Sequence, residues 1–348
     1  MSNVEFVIVG QGLAGTMLAF EMLEQNLSFK IISSPTKSKA SLVAAGMINP
    51  LVFKRLTKSW MVDDLLPVLE ERYQTLETEL KQRFYFRKQI LKPLSEQEML
   101  LWQSKMILPE FQKYIHKVSV GKVSKNMVDA FGYGIVDGSG YLDLAVFLEA
   151  AANYFLQQGL LIEADLHGKI YDNPELGFAI NELHANKLIF CEGYHLKNNP
   201  LFDFVKMNPA KGEVLLIHSP NLPEEFILNK QVFVLPVGNH RFKVGSTYEW
   251  EDLDETPTEK GKASIVQRLD NLISVDYEIE QHWAGVRPTI ADRRAVSGKH
   301  PVHPNIYAFN GLGTKGVMLA PYLAKEMCRF LTDEKYILSQ EINLARFL

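Results

Sequence analysis

The segment "GQGLAG" at residues 10–15 has the residue types and the G-x-G-x-x-G spacing of a turn that binds the diphosphate of a dinucleotide. Gly10 permits a tight turn, Gly12 lets the backbone approach a pyrophosphate, and Gly15 lets the following helix pack closely on the preceding strand. The N–H groups and the partial positive charge at the N-terminus of that helix favour an anion. We expect dinucleotide contacts from Gly10, Gly12, Leu13, Ala14 and Gly15.

A second glycine-rich segment, "NGLGTKGVMLAP", lies near the other end of the sequence. Gly311, Gly313 and Gly316 surround Lys315, and an apolar helical pattern follows directly. A flexible linker is not followed by such a helix. The glycines instead indicate a loop whose backbone comes close to another group.

The end of the second predicted strand does not settle which dinucleotide binds. At this position an acidic residue usually hydrogen-bonds the adenosine ribose. The segment "KIISSPTKSK" instead places Ser33 there, followed by Ser34. A serine bonds a ribose hydroxyl more weakly than a carboxylate does. Serines followed by Lys37 and Lys39 also suit a 2′-phosphate, which would mean NADP.

The composition is that of a globular protein with one large domain or two ordinary ones. The chain has 348 residues, of which 47% are hydrophobic and 22% charged, and its net charge is −4. An acidic balance gives no electrostatic reason for a nucleic-acid partner. Cys191 and Cys328 are isolated, so neither a metal site nor a disulfide framework is expected. With no signal-peptide pattern and no stretch that could span a bilayer, we expect a cytoplasmic protein without a membrane partner.

The elements that must position these segments change character along the chain. Residues 5–34 read as a complete β-turn-α-β unit, whereas segments such as "QVFVLPVGNHRFKVGSTYEW" make the middle strand-rich. We predict an α/β fold, in which a Rossmann-like dinucleotide domain is built from discontinuous segments and a mixed β-sheet substrate domain is inserted. The predicted boundaries are 1–85, 140–205 and 285–348 for the first domain, and 86–139 and 206–284 for the second.

In order along nearly the whole chain, the segments resemble the FAD-dependent amine and amino-acid oxidases of the D-amino-acid oxidase superfamily. Glycine oxidase, sarcosine oxidase and the FAD domain of a bacterial tRNA-modifying oxidoreductase belong to it. "SLVAAGMINPL" is similar to the family's small-residue segment beside the flavin, "KLIFCEGYHL" to its "ATGAW" strand end, and "HWAGVRPTIADRRAVSG" to its return to the flavin. The resemblance implies FAD as cofactor. It implies further FAD contacts at Ser33, Ser34, Ala44, Ala45, Gly46, Met47, Leu166, Gly193, Arg287, Gly311, Gly313, Thr314, Lys315, Gly316 and Val317.

The resemblance also implies catalytic roles for three cations. Arg287 matches an arginine that holds the substrate carboxylate, for which the planar fork of a guanidinium is well suited. Lys243 matches a lysine beside the flavin that helps to activate oxygen. Lys315 would add a full charge where the last helix points its N-terminus at the electron-rich edge of the reduced ring. Alternatively, Arg287 pairs with Asp292 and the lysines face solvent. Glycine oxidase has a second arginine where this chain has Thr314, which weakens the case for a free small amino acid.

The implied reaction is the oxidation of an amine or an N-alkyl amino acid. A hydride would move from the α C–H to flavin N5, water would hydrolyse the imine, and oxygen or another acceptor would reoxidise the flavin. Nucleic acid is an expected partner only under the main alternative, a tRNA-modifying FAD oxidoreductase that acts on a wobble uridine. An NADP-dependent dehydrogenase and a flavin-binding protein without activity are the remaining alternatives.

Overall fold

A computed structural model of the protein describes residues 2–121, 126–165, 171–173, 177–180 and 183–348. Helices and strands are interspersed along the chain, and the predicted α/β class is confirmed. Within these residues, no helix combines the length and the apolar character that crossing a bilayer requires.

The helices are α1 (Leu13–Glu24), α2 (Ala40–Val43), α3 (Val62–Leu80), α4 (Glu96–Met106), α5 (Pro109–Gln112), α6 (Leu144–Gln157), α7 (Glu259–Asp270) and α8 (Gly316–Thr332). The strands are β1 (Ser2–Val9), β2 (Phe29–Ser33), β3 (Met47–Ile48), β4 (Leu51–Val52), β5 (Thr57–Lys58), β6 (Tyr85–Arg87), β7 (Ile90–Leu94), β8 (Ile115–Val120), β9 (Gly132–Val136), β10 (Gly140–Leu142), β11 (Leu161–Glu163), β12 (Tyr171–Asn173), β13 (Gly177–Ile180), β14 (Leu183–Phe190), β15 (Ala210–His218), β16 (Ile227–Asn229), β17 (Phe233–Gly238), β18 (Arg241–Gly245), β19 (Glu278–Arg287), β20 (Val296–Lys299) and β21 (Ile306–Asn310).

The first sheet, here called the parallel sheet, has the parallel order β11-β2-β1-β14-β21, with antiparallel strands added at its margin. Val9 is in register with both Ile32 and Phe190, so β1, β2 and β14 end at the same edge. The loops that begin at Gly10 and Ser33 therefore start side by side. Ligands of open α/β sheets bind at this carboxyl edge.

Both faces of the parallel sheet are buried, which explains the continuous apolar run in β1. Phe6 and Ile8 pack in the core cluster that also contains residues of α1, α3, α6 and α8. Val7 and Val9 point to the other face and pack in a second cluster. On the helical side, α8 packs against both α1 and α3. The helix that ends the chain's main fold is thus adjacent to the helix that begins it.

The second large sheet, here called the antiparallel sheet, has the order β19-β15-β18-β17-β16-β7-β9-β8, and only its β16–β7 pair is parallel. Its two faces differ, as alternation predicts. On β18, Phe242 and Val244 are buried in the cluster that includes residues of α7. Lys243 lies on the opposite face, together with Val214 and Phe233. The strands of this sheet come from two separated stretches of chain, but the exact domain boundaries stay a prediction.

Candidate functional site

A cavity of about 420 Å³ lies between the carboxyl edge of the parallel sheet and one face of the antiparallel sheet. Its volume is in the range of small-molecule and cofactor sites. Segments from both ends of the sequence share its wall. The predicted site residues that line it are Gly10, Gly12, Leu13, Ala14, Ser33, Ser34, Ala44, Ala45, Gly46, Met47, Gly193, Arg287, Gly313, Thr314, Lys315, Gly316 and Val317.

Three predicted site residues in the described part of the chain do not line the cavity, and a fourth is not described. Gly15 and Gly311 lie behind its wall, and Lys243 is on the correct sheet face but farther along its strand. Leu166 lies outside the described residues. The structure therefore brings most of the predicted set together.

The glycine turn has the close packing that its spacing predicts. Gly10 has a φ of +106°, and a Cβ on Gly15 would lie 1.9 Å from the Gly10 carbonyl oxygen. Gly12 is the N-cap of α1 and provides no side-chain cap. The Leu13 N–H donates to Ser41 Oγ at 3.3 Å. The helix N-terminus is thus presented to the cavity without an acidic side chain in its first turn, which suits an anion.

The small-residue segment Ala44–Met47 also needs its glycine. Gly46 has a φ of +68°, and a Cβ there would lie 1.9 Å from the Leu142 carbonyl oxygen. Met47 then pairs with Tyr141 across β3 and β10. The absent side chain at Gly46 therefore lets this segment pack directly on β10 while it lines the cavity.

The closing loop enters α8 through a 3₁₀ turn at Gly313–Lys315. Gly311 and Gly313 have φ values of +73° and +57°, which explains why both positions are glycine. α8 begins at Gly316 without a side-chain cap, and Val317 in its first turn lines the cavity. A second uncapped helix N-terminus therefore reaches the same cavity.

Lys315 is buried and ties the closing loop to the segment around β3. Its Nζ donates to the Asn49 carbonyl oxygen at 2.8 Å and to Ser59 Oγ. Burial lowers the pKa of Lys315 to about 8. The side chain is not an exposed lysine, and its bonds fix the loop as well as placing a positive charge in the cavity wall.

Arg287, at the end of β19, is a partly buried cation bonded to neutral groups. Its guanidinium donates to Ser246 Oγ at 2.7 Å and to the carbonyl oxygens of Lys211 and Thr247, both at 3.2 Å. The alternative pairing with Asp292 is wrong, because Asp292 instead pairs with Arg346.

The electrostatic setting of Arg287 follows from these contacts. Burial lowers the pKa of the Arg287 guanidinium from its ordinary value, while nearby Tyr248 opposes the shift. Within the described residues, Arg287 forms no salt bridge. A partly buried positive charge without an anionic partner among these residues favours an anion in the cavity.

Lys243 is mostly buried, which excludes the solvent-facing alternative. Burial lowers the pKa of Lys243, and the charge of Asp143 opposes that shift. The lysine shares the face of the antiparallel sheet that supplies Val214 and Phe233 to the cavity. Lys243 therefore lies in the layer behind the cavity wall.

The loops after β2 and β14 are bridged by an ion pair. Lys37 Nζ lies 3.0 Å from Glu192 Oε1, and Asn199 Nδ2 donates to Glu192 Oε2 at 2.9 Å. Lys39 Nζ donates to Gln11 Oε1 at 2.7 Å. Among the described residues that line the cavity, Glu192 is the one carboxylate. Both lysines thus already have partners.

Sequence reasoning missed Glu192 and Asn310. Glu192 directly follows the strand end "FC", a position that could have been considered when Ser33 replaced the expected acid. Asn310, buried at the end of β21, donates from Nδ2 to the Gly193 carbonyl oxygen at 3.0 Å. Its Oδ1 accepts from the Gly311 N–H at 2.7 Å, so Asn310 links the closing loop to the loop after β14.

Comparisons with known proteins agree with this arrangement. A family model described as "DAO: FAD dependent oxidoreductase" matches residues 5–330. The chain is 24% identical to glycine oxidase of Pseudomonas aeruginosa over an alignment of 348 residues, which covers 94% of this chain and 93% of that protein.

A second relative matches over a shorter region. The tRNA 5-methylaminomethyl-2-thiouridine biosynthesis bifunctional protein MnmC of Idiomarina loihiensis is 25% identical over 181 residues, covering 47% of this chain and 29% of that protein. Among solved structures, glycine oxidase from Geobacillus kaustophilus matches with a TM-score of 0.82 at 18% identity, covering 100% of this chain and 98% of that chain. This last likeness shows a shared fold.

Proposed function

The chain belongs to the DAO family of FAD-dependent oxidoreductases, and from that membership we propose that it oxidises the C–N bond of an amine or N-alkyl amino acid that carries a carboxylate. When bound, FAD would supply the two-electron chemistry of the reaction, in which the substrate α C–H is oxidised and oxygen is reduced to hydrogen peroxide. The product imine is hydrolysed by water. The observation that carries the proposal is the partly buried guanidinium of Arg287, which lies in the cavity wall and forms no salt bridge with any residue that the structure describes.

The residues present fit FAD. A Cβ at Gly10 would lie 2.6 Å from the Cys191 carbonyl oxygen, so this turn keeps its backbone bare beside the N-terminus of α1, which suits a pyrophosphate. His195 Nε2 is a buried nitrogen without a hydrogen-bond partner in the described part of the chain, at the end of the cavity where Ser33 lies. Glu192 offers carboxylate oxygens to ribose hydroxyls at that end, in place of the acid that Ser33 replaces.

The opposite end of the cavity suits a group that gains negative charge. The uncapped N-terminus of α8 and the cation Lys315 lie in the wall there, and prearranged donors stabilise such charge without reorganisation. Lys315 also orients the loop through its bonds to Asn49 and Ser59. We assign Lys243 the role of a positive charge behind the wall, which favours the transfer of electrons to oxygen.

Arg287 would bind the substrate carboxylate through its planar fork. The carboxylate would complete a charge pair in a buried place, where the interaction is stronger than in water. The polar partners of Arg287 hold the guanidinium in one orientation before substrate arrives. The bound carboxylate then fixes the amine and its α carbon relative to the cavity wall, which is the main contribution of such a clamp.

The proposal is tested by anaerobic mixing of the holoenzyme with amines and N-methyl amino acids while the flavin absorbance is followed. We expect bleaching by substrates with a carboxylate. Arg287→Ala should weaken their binding by about thirtyfold or more, because truncating a buried charge partner costs at least about 2 kcal/mol. Matched amines without the carboxylate should lose far less. Equal losses for both classes would contradict the clamp.

Lys243 has its own test, since its role concerns only the second half of the reaction. Lys243→Met should slow reoxidation of the reduced enzyme by oxygen while leaving anaerobic reduction by substrate much less affected. Lys88→Met serves as the control because Lys88 lies in the loop between β6 and β7 and does not line the cavity. Equal reoxidation rates in the wild type and Lys243→Met would remove this role.

The tRNA-modifying alternative is supported by the partial identity with MnmC. It is opposed by the rim of the cavity, where residues 249–255 contain carboxylates and no basic residue. A polyanion needs a basic surface to bind. A gel-shift assay with bulk tRNA separates the two proposals, because retardation at physiological salt would favour the alternative.

A further inference from the structure

Two large aromatic side chains are exposed side by side at the mouth of the cavity. The side chains of Tyr248 and Trp250 are 53% and 55% exposed. Their ring centroids are 5.9 Å apart and their planes differ by 26°, which is a stacked arrangement. Single exposed apolar residues are ordinary, but adjacent exposed rings at a cavity mouth indicate a binding surface.

The pair is continuous with the proposed carboxylate clamp. Tyr248 lines the cavity, and the Arg287 guanidinium carbon lies 4.3 Å from the centroid of its ring. A carboxylate on Arg287 therefore places the rest of a substrate within reach of Tyr248. A substituent that points toward solvent would next meet Trp250.

The segment that carries the rings is anchored on both sides. Backbone hydrogen bonds of 2.8 and 3.0 Å join Glu249 to Lys211 in β15. At the other side, Glu255 accepts a hydrogen bond of 3.1 Å from the Tyr194 hydroxyl. Exposed rings on an anchored segment are already ordered, so a ligand that stacks on them loses little of its affinity to ordering.

The surrounding charge restricts the ligand that can stack there. Carboxylates are concentrated in the same segment, at Glu249, Glu251, Asp252, Asp254 and Glu255. An anionic ring would be repelled by this field, whereas a neutral or cationic ring would not. Cations also bind favourably over aromatic faces.

We infer that Tyr248 and Trp250 form a stacking platform for a planar ring of the substrate, a deduction that rests on the proposed function. The substrate class is an α-amino acid or N-substituted glycine that bears a neutral or cationic aromatic ring. Its carboxylate binds Arg287 and its ring lies on the platform. This class is narrower than the amine substrates of the proposed function and does not include glycine itself.

The test uses two carboxylates that cannot be oxidised and differ in the ring alone, phenylacetate and cyclohexylacetate. Each is titrated into the holoenzyme while the shift of the flavin absorbance spectrum is measured. The platform predicts that phenylacetate binds about tenfold more tightly, because aromatic pairs gain energy beyond area burial. A merely apolar surface would bind cyclohexylacetate at least as well, and that result overturns the inference.

Variants assign the preference to the two rings. Trp250→Leu and Tyr248→Leu should each reduce the preference for phenylacetate to about threefold or less, whereas Trp250→Phe should keep most of it. Phe131→Leu is the matched control, since Phe131 is an exposed ring that does not line the cavity. A preference that survives Trp250→Leu and Tyr248→Leu unchanged also overturns the inference.

Failure of this inference is distinguishable from failure of the proposed function. Arg287→Ala should weaken the binding of phenylacetate and cyclohexylacetate by the same factor, because both carry the carboxylate. A tenfold preference for phenylacetate together with no loss in Arg287→Ala would refute the clamp and support the platform. No preference together with a large loss in Arg287→Ala would support the clamp and refute the platform.

Discussion

Gly316 at the start of α8 lies against Leu13 at the start of α1: a Cβ on Gly316 would be 3.3 Å from Leu13 Cδ2. Two helix N-termini, one from each end of the fold, therefore meet at the same cavity. Each concentrates positive partial charge there. The arrangement suits a ligand that carries negative charge, as FAD does at its diphosphate and, after reduction, at its ring.

Gly12→Ala and Gly15→Ala should separate cofactor binding from folding. Gly12 has a φ of −85°, and a Cβ there would meet only Ser41 Oγ, at 3.8 Å. We expect Gly12→Ala to keep the melting temperature of the apoprotein but to weaken FAD binding about tenfold or more, a loss of ~1.4 kcal/mol. FAD titration with flavin fluorescence measures this.

Gly15→Ala should instead lower the stability of the folded apoprotein. Its Cβ would clash with the Gly10 carbonyl oxygen at 1.9 Å, and overpacking of this kind costs about 1–3 kcal/mol of folding free energy. The expected result is a lower melting temperature of the apoprotein. An apoprotein of wild-type stability in Gly15→Ala, or of reduced stability in Gly12→Ala, would contradict the two roles.

Gly212→Ala should displace the Arg287 guanidinium from the position proposed to bind the carboxylate, while Arg287 itself is retained. A Cβ at Gly212 would lie 1.9 Å from Arg287 Nη2, so the guanidinium has to move. We expect a higher KM for carboxylate substrates, while amines without a carboxylate are much less affected. Gly285→Ala is the matched control, because Gly285 is the cross-strand partner of Gly212 and its Cβ would meet Val43 instead. A similar KM change in both variants would indicate general distortion.

Glu192→Gln should weaken the binding of FAD and leave that of FMN unchanged, because FMN lacks the adenosine. Hydrogen bonds to a charged group contribute about 1.5–3 kcal/mol, which corresponds to roughly tenfold or more in the FAD dissociation constant. The variant also leaves Lys37 without its partner. Lys37→Met combined with Glu192→Gln removes both charges and should retain the FAD-specific loss. If the double variant binds FAD normally, the ribose role is wrong.

The stability of the apoprotein should depend on the protonation of Lys315. Burial lowers its pKa in the folded state to about 8, below the value of 10.5 that an unperturbed lysine has. Between these values the unfolded chain binds the additional proton, so stability should rise as pH increases from about 8 to about 10.5.

The contribution of Lys315 to the pH dependence of stability is measured as the difference in unfolding free energy between the wild type and Lys315→Met. The pKa difference corresponds to on the order of 3 kcal/mol. Denaturant unfolding at several pH values should show a steeper gain in the wild type over this window. Parallel curves for the two proteins would show that Lys315 does not titrate in this way.

Local pattern was sufficient to predict the glycine turn and the closing loop. Gly10, Gly311 and Gly313 have positive φ values, a local backbone requirement that glycine in the sequence indicates directly. The position of Lys243 relative to the cavity was harder to predict from sequence. Alternation along β18 gives its sheet face, but its distance from the cavity depends on how the two large sheets pack.

The sequence shows that Glu192 follows a strand end, but its position beside Gly10 depends on long-range pairing. Only the parallel register of β14 beside β1 brings the residue after Cys191 next to Gly10. The same pairing lets Lys37 reach Glu192 from the loop after β2. Trp250 could not be identified from sequence. Its exposed ring indicates a binding surface only once Tyr248 is known to line the cavity.

The meeting of Gly316 with Leu13 also sets an order of events during biosynthesis. The α1 turn leaves the ribosome before α8, but one wall of its cavity is made of residues 312–317 and is complete only after translation has passed Val317. Until then, a nascent chain exposes the glycine turn without the surface that closes over it. Flavin capture becomes a late event, and a truncation upstream of Gly311 should accumulate as a colourless apoprotein even where the remaining sequence is intact.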